Sequence, residues 1–544
     1  MKNTLLNGKS SNTSQQICSI SNKQELDSQE DIATPSSKRR IAKNTLLLYF
    51  RMIFTLFVSL YTCRIVLNCL GFSDYGLYNV VGGVVLMFSI ISGSLTSAIT
   101  RFLSFELGNG DKEQIKKVFS TAQIVQFCTA LLTVFLIELI GVWFLNHKLN
   151  VPPLRMEAAN WVLQCSIFTF AINLLTIPYT AAIMSREQMN AYAYISIQET
   201  LLKLLAVLAL SHFTFQDKLE TWGTLLAAIS LITFFTYRFY CRKHFNECIG
   251  KLIFDKTLLK QIMSFSGWNF IGSASAIFRD QGVNILINLF FGTVVNAARA
   301  TSFQISTAVS GFATNIMTAI NPQITKSFAA GQKEYMLSLI RQGSRFSFYM
   351  LLLLSIPLFI ETPYILTLFF KSVPEHTTLF VRLLLIFILS ESISAPLITA
   401  MLATGHIRNY QIIVGGLQLL NFPISYLFLK LGFFPEVTVV VSIGCSFICF
   451  ITRLIMLRKP IGLDAKAFFF QVFIRTWYVA ILSFLPPFCI YNMLGQGFIR
   501  LICVCFISTL SAISLIYWLG CSSEERFFLR SKSMEILKKR HYTK

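Results

Sequence analysis

The chain has 544 residues, of which 54% are hydrophobic and only 13% are charged. Soluble domains carry about 25% charged residues, so a soluble chain of this composition lacks the charge needed to cover its apolar surface. The apolar residues fall in blocks of about 20, separated by short polar breaks, which is the pattern of membrane-spanning helices. Strands of a β-barrel are about ten residues long and alternate in polarity, so the pattern disfavours a barrel.

The formal net charge is +21. In a soluble protein this excess suggests nucleic-acid binding, but multi-spanning proteins concentrate Lys and Arg in their cytoplasmic loops. We therefore interpret the charge as topology and expect no nucleic-acid partner. Most of the 13 cysteines lie in apolar runs, and no Cys/His quartet has zinc spacing. We expect no disulfide framework, metal or cofactor.

Residues 1–40 include a stretch rich in Ser, Asn and Gln with no apolar segment, so they are predicted to form a disordered cytoplasmic tail rather than a signal peptide. Residues 521–544 are predicted to form a basic cytoplasmic tail. Between them, helices are predicted to within about four residues at 44–70, 74–102, 117–145, 158–184, 189–211, 219–241, 263–290, 294–323, 343–370, 377–404, 408–430, 434–457, 470–491 and 495–520.

The connectors between the predicted helices alternate in charge. Basic residues cluster at 38–43, 242–260 and 458–466, whereas the breaks at 71–74 and 291–293 contain none. Since cytoplasmic loops are the basic ones, the pattern predicts an even number of spans. Both chain termini are then expected in the cytoplasm.

The two halves of the predicted bundle resemble each other. The spacing from Pro178 to Tyr192 recurs from Pro396 to Tyr410, about 220 residues later. A Gly-x-Lys-Glu segment after the second predicted helix recurs after the eighth. Each half holds an even number of helices, so the repeat is parallel, with its axis along the membrane normal.

The sequence therefore predicts an all-α polytopic membrane protein of about fourteen transmembrane helices. Its expected parts are an N-lobe at 41–245, a C-lobe at 246–460 and two appended helices at 461–520. Two such lobes enclose a central cleft and rock about it to give alternating access. This favours a transporter over an enzyme, and the chain has no Gly-x-Ser-x-Gly motif, phosphate loop or His pair at metal spacing.

Ionisable residues within spans are the candidates for a binding site, because charge is costly in hydrocarbon. Arg64 lies in the first predicted helix, Arg279 and Asp280 in the seventh, and Glu391 in the tenth. Asp280 is about 100° around the helix from Arg279, so the two side chains are expected to diverge. Arg64 and Arg279 on opposed lobes predict a cavity that attracts an anion, since guanidinium binds phosphate with a planar fork.

Other charged residues have simpler interpretations. Arg51, Arg101 and Arg475 lie close enough to helix ends for their side chains to reach the membrane surface. Glu199 and Lys203 are four residues apart on one helix face. A self-satisfied structural pair and a transport role are equally open for them.

The chain resembles the multidrug/oligosaccharidyl-lipid/polysaccharide (MOP) exporter superfamily, in particular its polysaccharide-biosynthesis (O-antigen flippase) branch. The resemblance spans about residues 40–520 and is carried by segments at 95–104, 108–113, 296–299, 321–327, 373–376 and 403–410. It implies a MATE-like fold and a cationic central cavity. Neither Arg64 nor Arg279 lies in these segments, so their assignment depends on position and charge.

The resemblance also implies a function. It is the translocation of undecaprenyl-pyrophosphate-linked oligosaccharide across the bacterial inner membrane, for O-antigen or capsule biosynthesis. The implied partners are the lipid-linked oligosaccharide and membrane lipids, with a glycan polymerase and glycosyltransferases as candidates. One alternative is a cation-coupled multidrug antiporter of the same superfamily, which uses membrane-embedded carboxylates. A second is a non-transporting scaffold for glycan assembly.

Overall fold

A computed structural model of the chain describes residues 35–86, 88–147, 153–214, 216–249, 253–369 and 375–522, together with 525, 526 and 530. Across these residues the chain forms helices joined by short turns, without β-strands. The predicted tail at 1–34 lies outside the described residues, as does most of the tail at 521–544. Residues 35–40 are helical and belong to the helix that is described from Pro35 onward.

Fourteen helical segments follow in chain order within the described residues. They are α1 at 35–70, α2 at 72–86 and Ser89–Asn109, α3 at Lys112–His147, α4 at Met156–Ser185, α5 at Met189–His212, α6 at Lys218–His244, α7 at 256–291, α8 at 293–329, α9 at Lys333–Ile360 and Thr362–Phe369, α10 at Thr377–Ala403, α11 at Arg408–Lys430, α12 at Val437–Ile461, α13 at Ala465–Met493 and α14 at Phe498–Gly520. Ten of them are individually long and apolar enough to cross a membrane. The other four are the halves of two long helices, each broken at a glycine.

Those two breaks occur at Gly71 (φ 76°, ψ 171°) and Gly292 (φ 78°, ψ −170°). This backbone region is accessible essentially only to glycine. At the first break, Tyr78 of α2 packs in one cluster with Val66 of α1, so α2 returns alongside α1. The predicted breaks at 71–74 and 291–293 are therefore confirmed, each as a one-residue turn.

The repeat seen in the sequence reappears in the backbone. Left-handed residues follow α2 at Gly110 (φ 80°) and α8 at Gly331 (φ 71°). Two more follow α4 at Glu187 (φ 59°) and α10 at Gly405 (φ 78°). Within each pair the positions are about 220 residues apart. The connections thus have the same geometry in α1–α6, the N-lobe, and in α7–α12, the C-lobe.

The repeat axis passes close to Gly108. A Cβ atom at Gly108 would lie 2.6 Å from the carbonyl oxygen of Lys326 and 2.9 Å from the Cβ of Ala329. Gly108 and Ala329 are themselves about 220 residues apart, so equivalent positions of the two lobes meet there. We call this the basic end of the bundle, where α2, α4, α8 and α10 finish. The opposite end carries Gly71 and Gly292.

Ion pairs brace the opposite end in a repeated manner. In the N-lobe, Arg155 pairs with Asp217 and Asp74, each at 2.5 Å. In the C-lobe, His376 contacts Glu436 at 2.6 Å. The Arg155–Asp217 and His376–Glu436 contacts each join the start of the fourth helix of a lobe to the start of its sixth helix. They fix how the helices of each lobe meet, independently of the other lobe.

Helices α13 and α14 are attached to α9. Arg500 of α14 makes a two-pronged ion pair with Glu361, at 2.8 and 2.9 Å, and the Glu361 side chain is fully buried. Arg345 of α9 pairs with Glu525 at 2.6 Å. Arg475 of α13 donates to the carbonyl oxygens of Leu519 and Cys521, at the end of α14.

Candidate functional site

A cavity of about 670 Å³ lies in the N-lobe. Its lining comes from α1, α2, α5 and α6, and it combines apolar side chains with hydroxyl and charged groups. The polar lining residues include Arg51, Thr55, Ser59, Ser196, Glu199 and Lys203. Hydroxyls and charges inside a membrane protein are costly unless they line a water-filled space, so this wall is suited to a hydrophilic ligand.

Arg51 lies where this cavity meets the C-lobe. Its guanidinium donates to Ser196 Oγ and to Asn315 Oδ1 of α8, both at 3.4 Å, and lies 4.9 Å from the ring centre of Tyr192. The expectation that Arg51 reaches the membrane surface is therefore wrong. Aromatic and amide contacts inside the bundle hold the guanidinium, and these partners come from distant parts of the chain.

A polar stripe on α8 faces the same space. Gln304, Thr307 and Thr314 are exposed, and their spacing keeps them on one helix face. Gly311 lies on that face, and a Cβ atom built on it would be 3.6 Å from the Met52 sulfur of α1. The stripe therefore turns toward the N-lobe. Both walls of the cleft between the lobes thus present hydroxyl and amide groups.

Glu199 and Lys203 form the pair that their spacing predicts, with a 2.6 Å contact. Their side chains are 38% and 44% exposed, and both line the cavity. The pair is therefore internally satisfied and also accessible from the cleft. Together with Arg51, the cavity lining holds two cations and one carboxylate, which leaves it net positive.

Arg101 lies at the basic end of the cleft. It donates to the carbonyl oxygen of Ala403 in the C-lobe at 2.9 Å. Its guanidinium lies 4.7 Å, 4.8 Å and 5.6 Å from the ring centres of Phe102, Phe105 and Phe265. The expected position at the membrane surface is wrong for this residue too, since the end of α2 is covered by the C-lobe.

The predicted cavity residues have different surroundings. The side chain of Arg64 lies outside the described residues. Arg279 pairs with Asp280 at 2.9 and 3.3 Å and lies 5.1 Å from the ring centre of Phe387 in α10. The expectation that Arg279 and Asp280 diverge is wrong. Their Cβ atoms point apart, but the long Arg side chain curls back to its neighbour's carboxylate.

Glu391 accepts a hydrogen bond from Ser446 of α12 and interacts electrostatically with Arg279. Arg453 of α12, which no pattern in the sequence singled out, is 2% exposed and donates to the Tyr410 hydroxyl at 3.3 Å. Arg279 and Asp280 thus form a local pair in the C-lobe, and Glu391 acts on Arg279 through its charge. The cavity around Arg51 is a separate polar region.

The comparison with known families identifies the chain. The model of a family described as polysaccharide biosynthesis protein matches residues 41–328, more than half of the sequence. The chain belongs to this family. The matched region covers α1 from residue 41, all of α2–α7 and almost all of α8, and therefore includes both walls of the cleft.

One curated relative and several solved structures are also similar to the chain. EpsK of Bacillus subtilis (strain 168), an uncharacterized membrane protein, is 20% identical over 298 residues, which is 54% of this chain and 57% of EpsK. The match therefore spans less than two thirds of that relative. A MATE structure in the bent conformation superposes with a TM-score of 0.68 at 12% identity, covering 79% of this chain and 97% of that one. A MOP superfamily transporter from Pyrococcus furiosus gives 0.65 at 12%, covering 79% and 99%.

The protein of the polysaccharide biosynthesis family described here is thus a multi-pass membrane protein with the fold of MATE transporters. The predicted fold class and the predicted superfamily are both confirmed. The lobe boundaries at 245 and 460 and the four predicted cavity residues stay predictions.

Proposed function

We propose that the protein is a flippase that translocates undecaprenyl-pyrophosphate-linked oligosaccharide across the bacterial inner membrane by alternating access. The observation that carries this proposal is the cleft, whose two walls present hydroxyls and amides around a cationic group. The family membership supports a role in making surface polysaccharide, such as O-antigen or capsule. A glycan polymerase and glycosyltransferases are the proposed partners.

The chemistry of the cleft fits the two parts of such a substrate. Sugar hydroxyls both donate and accept hydrogen bonds, as do the Thr and Ser side chains of the walls. The pyrophosphate is an anion that Arg binds through a planar fork of donors. We place the pyrophosphate near Arg51 and Lys203, and the glycan along the α8 stripe that includes Thr307 and Thr314.

The charge distribution gives the proposed orientation. Lys and Arg concentrate in cytoplasmic loops, so we place the basic end, including Lys326, in the cytoplasm. Arg101 joins the lobes at that end. The structure then represents the state that is closed toward the cytoplasm, in which substrate has access from the outer side.

The test is export by variants in which single cationic residues are neutralised. Arg51→Gln is expected to reduce surface polysaccharide by tenfold or more, since one charge-assisted hydrogen bond contributes about 1.5–3 kcal/mol. The matched control is Arg341→Gln, which removes an exposed Arg of α9 and is expected to leave export unchanged. Membrane levels of each variant are measured alongside. Normal export by Arg51→Gln would contradict the proposed site.

The same export assay compares the anion site predicted from the sequence, at Arg64 and Arg279, with the site proposed from the cavity, at Arg51. Arg64→Ala and Arg279→Ala test the residues predicted from the sequence. If only these two abolish export, the anion site lies with them and not with Arg51. Loss in Arg51→Gln with normal export in Arg279→Ala would place the site on the N-lobe wall.

Gene deletion distinguishes the classes of function. We expect lipid-linked glycan to accumulate on the inner leaflet and surface polysaccharide to be lost. Unchanged glycan with new sensitivity to cationic drugs would instead support an antiporter. Retained export after neutralisation of every cleft cation would support a scaffold that does not itself transport.

A further inference from the structure

Glu187 joins the two lobes at the basic end. It lies in the short turn between α4 and α5, where its backbone is left-handed (φ 59°). Its carboxylate accepts from Lys326 Nζ and Gln323 Nε2 of α8, each at 2.7 Å, and its side chain is 3% exposed. Its backbone carbonyl accepts from Asn44 Nδ2 of α1 at 3.0 Å. One buried residue therefore holds α1, the α4–α5 turn and α8 together.

The geometry of this contact is fixed from the C-lobe side as well. The Gln323 side-chain oxygen accepts a hydrogen bond from the Tyr335 hydroxyl at 3.0 Å. That bond directs the Gln323 amide nitrogen toward Glu187. We call the contacts of Glu187 with Gln323 and Lys326 the first latch.

A second latch lies across the repeat axis. Arg101 of α2 donates to the carbonyl oxygen of Ala403 at the end of α10. It also lies against Gly405 in the α10–α11 turn, where a Cβ atom would be 2.7 Å from Arg101 Nη2. Gly405 has a φ of 78°, so both its backbone and its missing side chain suit this contact.

The two latches are equivalent under the repeat. Glu187 and Gly405 are about 220 residues apart, and so are Arg101 and Gln323. In each case, the turn between the fourth and fifth helices of one lobe holds the end of the second helix of the other lobe. The side chains differ, with an ion pair in one latch and an arginine-to-carbonyl bond in the other, but the positions correspond.

We propose that these latches act together as the gate of the basic end, so that the lobes separate there only when both release. Each latch places a buried charged group in contact with the opposite lobe. Breaking that contact removes a charge-assisted hydrogen bond in a poorly solvated place, which is unfavourable. Because the lobes move as units, release of one latch removes the geometry that the other requires.

The gate concerns the conformational equilibrium and needs no assumption about the substrate. It is tested by hydrogen exchange of the full chain in lipid nanodiscs without added glycan. Backbone exchange reports the free energy of local opening, and it is read at 104–110, 185–188, 323–329 and 403–407. Glu187→Gln and Arg101→Gln each remove one latch.

Each variant is expected to accelerate exchange in all four segments by at least about tenfold, the factor set by loss of one charge-assisted hydrogen bond. The matched control is Glu247→Gln. It breaks the Arg186–Glu247 ion pair, whose two contacts are 2.6 and 2.9 Å. This pair neighbours the first latch but joins the α4–α5 turn to the connector after α6, and not to α8 or α10. That variant is expected to leave the 323–329 and 403–407 segments unchanged.

A glycine pair tests the second latch without removing a charge. Gly405→Ala places a methyl group against Arg101. Gly331 also has a left-handed backbone (φ 71°), but no atom lies within 4 Å of the Cβ that Gly331→Ala would add. Both substitutions strain the turn equally. Only Gly405→Ala is expected to accelerate exchange at 185–188 in the distant first latch.

Folding defects are distinguished by charge reversal. Glu187→Lys combined with Lys326→Glu restores the ion pair with opposite sign, and it is expected to slow exchange again relative to either single change. Three outcomes would overturn the gate: acceleration confined to the substituted latch, acceleration equal to that of Glu247→Gln, or no recovery in the charge-reversed pair.

Discussion

At the scale of single residues, charge inside the bundle is satisfied locally or across a helix boundary. Arg279 pairs with its neighbour Asp280, Lys203 with Glu199, and Arg500 with Glu361. An uncompensated charge in a poorly solvated place is costly, and these ions are neutralised by a partner, whereas Arg51, Arg101 and Arg453 are held by neutral acceptors or aromatic rings. Position in a span therefore does not by itself indicate a binding role, and the proposed site depends on exposure to a shared cavity.

The ion pair between Arg500 and Glu361 gives a prediction about stability. Arg500→Met removes one partner of a pair whose carboxylate is fully buried, so we expect a loss of about 3–5 kcal/mol and a clearly lower apparent melting temperature in detergent. Adding Glu361→Leu removes the orphaned charge and should restore most of the loss.

A more exposed pair provides the comparison for that experiment. Lys203→Met breaks the Glu199–Lys203 pair, whose side chains are 44% and 38% exposed, and solvent screening limits its effect to about 0.2–1 kcal/mol. An equal drop in melting temperature for Arg500→Met and Lys203→Met would show that α14 is not held by its buried ion pair.

At the scale of elements, turn chemistry in the sequence predicted the connections well. The breaks expected at 71–74 and 291–293 are one-residue turns at Gly71 and Gly292. Four helices begin at an Asp side chain that accepts from the free N–H groups of the first turn, as that residue type favours. These caps are Asp111, Asp217, Asp255 and Asp464. Local chemistry suffices here because the residues that define each turn are adjacent in the chain.

The turn at Gly292 supplies the prediction at this scale. Gly292→Ala puts a Cβ into a backbone region that is essentially restricted to glycine, so we expect a loss of about 1–3 kcal/mol. Gly267→Ala lies in a regular part of the same long helix, with nothing within 4 Å of the added Cβ, and should not destabilise. The two apparent melting temperatures are compared in detergent. Equal values would mean that the α7–α8 turn relaxes freely around a side chain.

At the scale of the whole molecule, the repeat organises the two lobes about one axis. The left-handed positions at Gly110 and Gly331 and the meeting of Gly108 with Ala329 follow from it. Both latches of the proposed gate are repeat-related as well. The similarity of the halves in the sequence indicated equivalent helices, but it did not indicate that their ends would contact each other across the axis.

The orientation of the molecule is tested with reporter fusions. We expect a fusion after Gly331, at the basic end, to report a cytoplasmic position, and a fusion after Glu436, at the opposite end, to report an external one. The physical reason is the retention of Lys and Arg on the cytoplasmic side. The reverse result would place the closed end of the cleft outside and would invert the proposed transport state.

The sequence by itself determined the order of the helices, their breaks and the lobe repeat, but several bounds were wrong by more than four residues, such as the start of α9 at Lys333 instead of 343. Apolar blocks, glycine turns and basic connectors are local features, and the membrane allows few ways to satisfy a spanning backbone. Only the tertiary structure decided the surroundings of Arg51, Arg101, Glu187 and Arg453. Their partners are far away in the sequence, and only the packing of helices brings them into contact in space. A charge near a helix end looks the same in sequence whether lipid headgroups or a second lobe cover it.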